Sequence, residues 1–118
     1  MAIAENEKVR LPNADQAQVD REKITGYLLS ATHPDGASKA KFFARFGFYL
    51  EDWEVLRAAL WKHGVKYAVV KTVESAFGTR YSVEGALETP DGRNPRIRTI
   101  WLVEKGSAIP RLITAYPY

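Results

Sequence analysis

The chain has 118 residues, no cysteine and a formal net charge of +3. This length suits one domain with a single hydrophobic core, and the lack of cysteine excludes disulfides, zinc–thiolate sites and cysteine nucleophiles. No apolar run approaches the roughly 20 residues of a membrane helix, and the N-terminal stretch lacks the pattern of a secretory signal. We therefore expect a cytoplasmic protein that does not bind membranes.

The chain is expected to divide at about residue 18. Residues 1–18 lack hydrophobic periodicity, which predicts an N-terminal arm with a short extended piece at Lys8–Leu11. Residues 19–118 are expected to form one domain. Its first half predicts three helices. The first is capped by Asp20 and its apolar face extends to Ala31. The second runs from Gly36 or Ser38 to Phe46, and the third from near Glu51 to His63–Gly64.

Past Gly64 the hydrophobic period changes from that of a helix to that of a strand. Four strands joined by short turns are predicted, over Val65–Glu74, Thr79–Leu87, Ile97–Glu104 and Arg111–Tyr116. In the last strand, alternation places Leu112, Thr114 and Tyr116 on one side. The fold class is therefore α+β, with three N-terminal helices packed on one face of a four-stranded antiparallel β-meander.

The second predicted helix carries a lysine in line with its apolar face. Phe42, Phe43 and Phe46 define the buried face, and Lys39 falls in the middle of it on a helical wheel. A cation in the first turn also opposes the helix dipole. Lys39 therefore either extends its ammonium past the edge of the core into water or has a functional role.

The two histidines receive different interpretations. His33 lies in a loop just before the second helix, where it is either a plain surface residue or a proton donor and acceptor near neutral pH. His63 lies at the predicted end of the third helix. At that position an imidazolium is attracted to the carbonyl groups of the last helical turn. This attraction is a sufficient reason for His63, so no catalytic role is assigned to it.

Hydroxyl and guanidinium groups in the second half of the chain suit an anionic ligand. Thr114 and Tyr116 could donate two hydrogen bonds from one strand face, although both residue types favour strands in any case. Arg80 begins a strand after a turn, and its guanidinium fork matches phosphate geometry. Arg98 and Arg111 belong to the basic C-terminal half and are further candidates for substrate binding.

Other catalytic motifs do not occur in the sequence. It contains no GxxxxGK[ST] or GxGxxG phosphate loop, no HExxH zinc motif and no nucleophile elbow, so we expect no metal and no cofactor. The remaining His, Lys, Arg, Thr and Tyr residues suit RNA cleavage by the RNA's own 2′-hydroxyl. In that reaction the protein supplies an acid or base and stabilises the phosphate charge.

Four blocks of the sequence resemble an uncharacterised bacterial family, a domain of unknown function. The blocks are YLLSATHPDGASKAKFFARFGF, FGTRYSVEGALETPDGR, RTIWLVEKG and PRLITAYP, and the resemblance extends from Leu11 onward. The family's layout is in turn similar to the barnase–EndoU–colicin–RelE superfamily of small ribonucleases, many of which are toxins. That likeness implies helices before a four-stranded antiparallel sheet and metal-free RNA cleavage.

The resemblance also implies roles for particular residues. His33 and Lys39 match the histidine and lysine that superfamily toxins often carry in their helical half. A final strand reading TAYP, common in those toxins, includes Thr114 and Tyr116, while Arg80 in GTRY is a weaker match. His33 would then be the general acid or base, Lys39 and Arg80 would stabilise phosphate charge, and the two hydroxyls would donate hydrogen bonds.

We therefore expect a metal-independent endoribonuclease, the toxin of an intracellular toxin–antitoxin pair. Its expected partners are RNA, with tRNA as a candidate, and a cognate antitoxin protein. Two alternatives stay open. The chain could be a non-catalytic RNA-binding module that uses the same basic rim, or a protein-interaction domain with exposed aromatic anchors such as Trp101 or Tyr118.

Overall fold

The computed structural model describes residues 9–118, and three helices come first. Helix α1 begins as one α-helical turn, Arg21–Lys23, and continues as a π-helical segment, Ile24–Leu28. Helix α2 spans Ala37–Ala44, and helix α3 spans Trp53–Lys66. Short 3-10 turns at Ala14–Gln16 and Leu50–Asp52 precede α1 and α3. Within the described part of the chain, no helix is long and apolar enough to cross a membrane.

Four strands follow and form one antiparallel sheet in the order β1-β2-β3-β4. They are β1 (Val69–Ser75), β2 (Gly78–Ala86), β3 (Arg96–Glu104) and β4 (Arg111–Pro117). Each strand pairs with its neighbour in sequence, so short turns suffice to connect them. The predicted α+β fold, helices followed by a four-stranded antiparallel meander, is confirmed, and the first two helices are short.

Two predicted helix ends are wrong. Helix α3 continues past Gly64 to Lys66 because this glycine faces the indole of Trp101: a Cβ at Gly64 would lie 2.5 Å from a ring carbon. The glycine therefore permits close packing of the helix on the sheet, and β1 begins later than predicted. Helix α1 ends at Leu28, so Ala31 lies in an exposed loop instead of on a helical face.

A bulge in β4 determines which of its side chains face the helices. Trp101 pairs with Leu112, whereas the adjacent Ile100 pairs with Thr114, so one residue of β4 is extra. Since Ile100 and Trp101 point to opposite faces, Thr114 and Leu112 do so as well. The expectation that Leu112 shares a side with Thr114 and Tyr116 is wrong. Leu112 is buried under the helices, and the other two lie on the face away from them, called the open face.

The hydrophobic core fills the space between the helices and the inner face of the sheet. Its largest fully buried apolar side chains are Trp101, Phe43, Phe48, Ile24, Leu28, Leu56, Leu60, Leu87, Ile97, Leu112 and Val83. Burying one such side chain contributes roughly 1.5–3 kcal/mol. Trp101 is 0% exposed at the centre of this core, so the expectation that it is an exposed binding anchor is wrong. Tyr118, in contrast, is exposed.

His63 is also part of the interior, which overturns its interpretation as an imidazolium at a helix end. Its Nδ1 accepts a hydrogen bond from the Thr99 hydroxyl at 3.0 Å, and its Nε2–H donates to the carbonyl oxygens of Gly85 and Ile97, each 3.1 Å from Nε2. The Thr99 oxygen accepts in turn from the Trp101 indole N–H at 2.8 Å. Burial lowers the pKa of His63, and this network suits the neutral ring.

The predicted N-terminal arm is only partly within the described residues, since residues 1–8 and with them Lys8 of the extended piece lie outside. The rest of the arm contacts the domain. The Val69 N–H donates to the Val9 carbonyl at 2.8 Å, and Leu11 is buried. Gln18 forms a parallel bridge with Arg111 and so lies along the outer edge of β4.

We predict that His63 makes folding stability depend on pH. Its pKa is lower in the folded protein, so the unfolded chain takes up a proton first as the pH falls below 6.5. Stability is therefore complete above that pH and declines below it. Urea unfolding at a series of pH values between about 5 and 8 measures the slope. His63→Gln should flatten it, and an unchanged slope in His63→Gln would contradict the prediction.

Candidate functional site

Three of the four candidate catalytic residues contact or approach one tyrosine. The Tyr27 hydroxyl lies 2.9 Å from the hydroxyl oxygen of Thr114 on β4. The His33 ring packs edge-on against the Tyr27 ring, with centroids 4.9 Å apart. The ammonium of Lys39 lies 5.4 Å from the centroid of the same ring. Tyr27, His33, Lys39 and Thr114 are called the Tyr27 cluster.

The local backbone explains how Tyr27 reaches both halves of the fold. It belongs to the π-helical segment of α1, whose wider turn is a feature often found at functional sites. The loop that carries His33 docks directly onto it, since a Cβ at Gly36 would lie 2.1 Å from the Tyr27 carbonyl oxygen. Only glycine permits that approach. The loop and the helix are therefore held in one fixed relation.

Hydrogen bonds within its own loop orient the His33 ring. The backbone N–H groups of Asp35 and Gly36 donate to His33 Nδ1 at 2.9 and 3.0 Å, and the His33 N–H donates to the Ser30 hydroxyl oxygen at 3.2 Å. Because Nδ1 accepts both bonds, the proton of the neutral ring is on Nε2. Nε2 is thus the nitrogen through which His33 would interact with a ligand.

Two lysines place positive charge around the cluster. Lys39 Nζ donates to the Asp35 carbonyl at 3.2 Å, which anchors the ammonium at the start of α2. Lys23 Nζ lies 5.3 Å from the Tyr27 ring centroid. Within residues 9–118 neither ammonium forms a salt bridge with a carboxylate. No carboxylate of the described residues therefore neutralises either charge.

A groove of about 330 Å³ runs across the open face next to this cluster. Basic, hydroxyl-bearing and aliphatic side chains line it: Lys71, Val73, Arg80, Ser82, Arg98, Ile100, Ile113, Thr114 and Tyr116. Thr114 belongs both to this groove and to the Tyr27 cluster. The helical half of the candidate site and its strand half therefore meet at the Thr114 hydroxyl.

The three candidate substrate-binding arginines have different surroundings. Arg98 donates to Glu84 at 2.7 Å and to the Tyr116 hydroxyl at 3.3 Å, and these two hydrogen bonds raise the pKa of Arg98. Arg80 is exposed in the groove and forms no ion pair within the described range. Arg111 pairs with Glu104 at 2.7 Å near the other end of β4 and does not line the groove.

The sequence interpretation missed two residues that organise the site. Tyr27 was predicted only as part of a buried helical face, yet it is half-buried and its hydroxyl contacts Thr114. A phenol at the edge of a buried face needs a hydrogen-bond partner. This requirement could have singled out Tyr27 from the sequence. Glu84, whose alternation with Arg80 and Ser82 was visible, holds Arg98 in place across the β2–β3 pair.

No cluster of three or more metal-ligating His, Asp or Glu side chains occurs within residues 9–118. The fold and the side chains of the groove and the Tyr27 cluster define a small α+β protein. Its sheet face is cationic and lined by hydroxyl groups, and it lies beside a histidine and a lysine. The chain belongs to the family described as Domain of unknown function (DUF6883), whose profile matches residues 10–118. No curated protein matches its sequence.

A chain of similar fold occurs among solved structures. It is a chain from the contact-dependent growth inhibition toxin–immunity protein complex of Klebsiella pneumoniae 342. The TM-score is 0.67 at 21% sequence identity, and the match covers 85% of this chain and 98% of that one. At this identity the likeness shows the fold alone.

We predict that the Tyr27–Thr114 hydrogen bond couples the helices to the sheet energetically. Tyr27→Phe and Thr114→Val each remove one partner while keeping the shape of the side chain. In a double-mutant cycle measured by urea unfolding, their coupling should be about 0.5–1.5 kcal/mol. Tyr27→Phe combined with Thr72→Val, at an exposed threonine on β1, should be additive. Additivity in the first pair would contradict the prediction.

Proposed function

We propose that this protein is a metal-independent endoribonuclease and that it acts as a toxin. The observation that carries the proposal is the meeting of two sets of groups at Thr114. A histidine and a lysine approach it through Tyr27, and a groove opens from it on the sheet, in which Lys71 and Arg80 form no salt bridge within residues 9–118. Both sets are suited to one phosphate group, and RNA supplies the nucleophile.

The proposed reaction is an internal transfer of the phosphate. The 2′-oxygen of a ribose attacks the adjacent phosphorus and releases its proton to water, and the bond from phosphorus to the 5′-oxygen breaks. The 5′-oxygen takes up a proton, which leaves a 2′,3′-cyclic phosphate and a free 5′-hydroxyl. The protein has to hold the phosphate in line and stabilise the charge that develops on its oxygens.

The geometry favours particular roles in this reaction. The backbone donors on Nδ1 leave Nε2 as the nitrogen that faces a ligand, so Nε2 is the atom at which His33 would act as the general acid or base. Lys39 and Arg80 stabilise phosphate charge from the two sides of Thr114. Thr114 and Tyr116 donate hydrogen bonds to non-bridging oxygens, with Arg98 holding the Tyr116 hydroxyl.

The toxin assignment rests on the sequence resemblance and on the fold. The neighbour of similar fold comes from a toxin–immunity protein complex, and a ribonuclease that cleaves cellular RNA would need a cognate protein that blocks it in the cell that makes it. We therefore propose an intracellular toxin with an antitoxin partner, acting on RNA in the cytoplasm.

The first test of the activity is RNA cleavage in the presence of EDTA. Incubation with tRNA and total RNA is expected to yield fragments with 2′,3′-cyclic phosphate ends. Replacing His33 or Lys39 with alanine should each lower the cleavage rate by about 100-fold or more, the usual effect of losing a proton donor or a charge-stabilising group. His33→Gln, which keeps an N–H donor but transfers no proton, should be as slow as His33→Ala.

Lys41→Ala is the matched control for Lys39, since Lys41 is exposed on the same helix and should keep the wild-type rate. Salt-sensitive RNA binding without cleavage would overturn the catalytic proposal and favour a binding module. A lack of any RNA affinity, together with recovery of a protein partner, would favour an interaction domain.

The second test concerns toxicity in cells. Induced expression in a bacterial host is expected to stop growth, and His33→Ala should abolish that effect at equal protein level. Co-expression of the neighbouring gene product should restore growth, and the two proteins should purify together. Growth arrest that persists in His33→Ala would show that toxicity does not come from the proposed site.

A further inference from the structure

At one end of the groove, the open face carries two arginines and two tyrosines that contact one another, and Arg98 and Tyr116 among them also line the groove. The guanidinium carbon of Arg98 lies 5.7 Å from the Tyr116 ring centroid and 5.5 Å from that of Tyr118. The guanidinium carbon of Arg96 lies 5.2 Å from the Tyr118 centroid, and Arg96 donates a hydrogen bond to the Tyr118 hydroxyl. These four residues are called the arginine–tyrosine ladder.

Strand pairing produces the ladder. Arg98 is directly opposite Tyr116 in the β3–β4 register, and both face away from the helices. Side chains two residues apart on a strand share a face, so Arg96 and Tyr118 continue the same row past the groove. Glu84 fixes Arg98 from the β2 side. The ladder is therefore an ordered continuation of the groove.

Core packing does not account for the ladder. Tyr118 is 46% exposed and Arg96 is exposed as well, and neither belongs to the buried cluster under the helices. Ordered tyrosine rings and guanidinium planes at a protein surface are groups on which nucleic-acid bases stack. The charge of Arg96, which forms no salt bridge within residues 9–118, also attracts the phosphate backbone. One row of side chains thus offers both kinds of contact that a single strand needs.

We propose that the arginine–tyrosine ladder is a subsite for unpaired nucleotides of single-stranded RNA, next to the phosphate bound in the groove. The proposal rests on the proposed function, which it deepens by naming the substrate class. A single strand is favoured because bases in a duplex are already stacked and paired and do not expose a face to the tyrosine rings. An acidic protein would need the arginines but not the rings.

Binding of a short single-stranded RNA with a 2′-O-methyl group at every position tests this directly, because that RNA cannot be cleaved. Fluorescence anisotropy should show that Tyr118→Ala weakens binding roughly 5- to 100-fold, the effect of losing one stacked base. Tyr118→Trp should keep the wild-type affinity. Arg96→Ala should also weaken binding and reduce the salt dependence, which Tyr118→Ala should leave unchanged.

Matched controls come from the helical side of the molecule. Tyr49→Ala removes a tyrosine of similar exposure, 52%, and Arg57→Ala removes an exposed arginine that lies over Trp53. Neither should alter RNA binding. A duplex of the same sequence should bind more weakly than the single strand, with no sensitivity to Tyr118→Ala.

The possible outcomes separate this inference from the proposed function. If wild-type protein cleaves ordinary RNA and Tyr118→Ala binds and cleaves equally well, the ladder is not a subsite and the ribonuclease proposal stands. If Tyr118→Ala weakens binding of the methylated RNA as expected but ordinary RNA is not cleaved, the subsite stands and the catalytic proposal is overturned. Polyglutamate is also added to displace the bound RNA. If it displaces the RNA equally well from wild-type protein and from Tyr118→Ala, the surface is a general anion or acidic-protein surface and the inference is overturned.

Discussion

The extra residue in β4 is the constraint on which the site depends. Leu112 and Ala115 are both buried under the helices although they are three residues apart, a spacing that a regular strand would split between its two faces. The bulge reconciles the two positions and lets both ends of the strand contribute to the core. It also turns Thr114 and Tyr116 to the open face. Core packing therefore sets the orientation of the candidate site.

Tyr27 links this strand to the helices, and its position follows from two local features. The π-helical segment and the glycine at position 36 place the ring between α1 and the His33 loop. Its hydroxyl then lies beside Thr114 at the edge strand. A residue that contacts both halves of a fold is part of its packing and of its site at once. Substitutions at Tyr27 therefore need measurements of stability beside any measurement of activity.

The sequence predicted the order and type of the elements because hydrophobic periods and turn residues are local properties. It also predicted His33, Lys39 and Thr114 as candidate site residues, and the fold brings these three near Tyr27. It failed where contacts are long-range. Gly64 resembled a helix end because the indole that it accommodates lies 37 residues further along the chain, and the buried partners of His63 lie on β2 and β3. The β4 bulge depends on its pairing with β3, which local alternation does not reveal.

Net charge alone says little about this protein, because a charge of +3 is modest. The pairing of individual charges says more. Arg98 and Arg111 are held by Glu84 and Glu104, so much of their charge is compensated within the sheet and they serve to order their neighbours. Lys39 and Arg80 form no carboxylate pair within the described range and flank Thr114 from the helices and from β2. Within residues 9–118, positive charge that no carboxylate compensates therefore lies on both the helical and the sheet side of the hydroxyl groups.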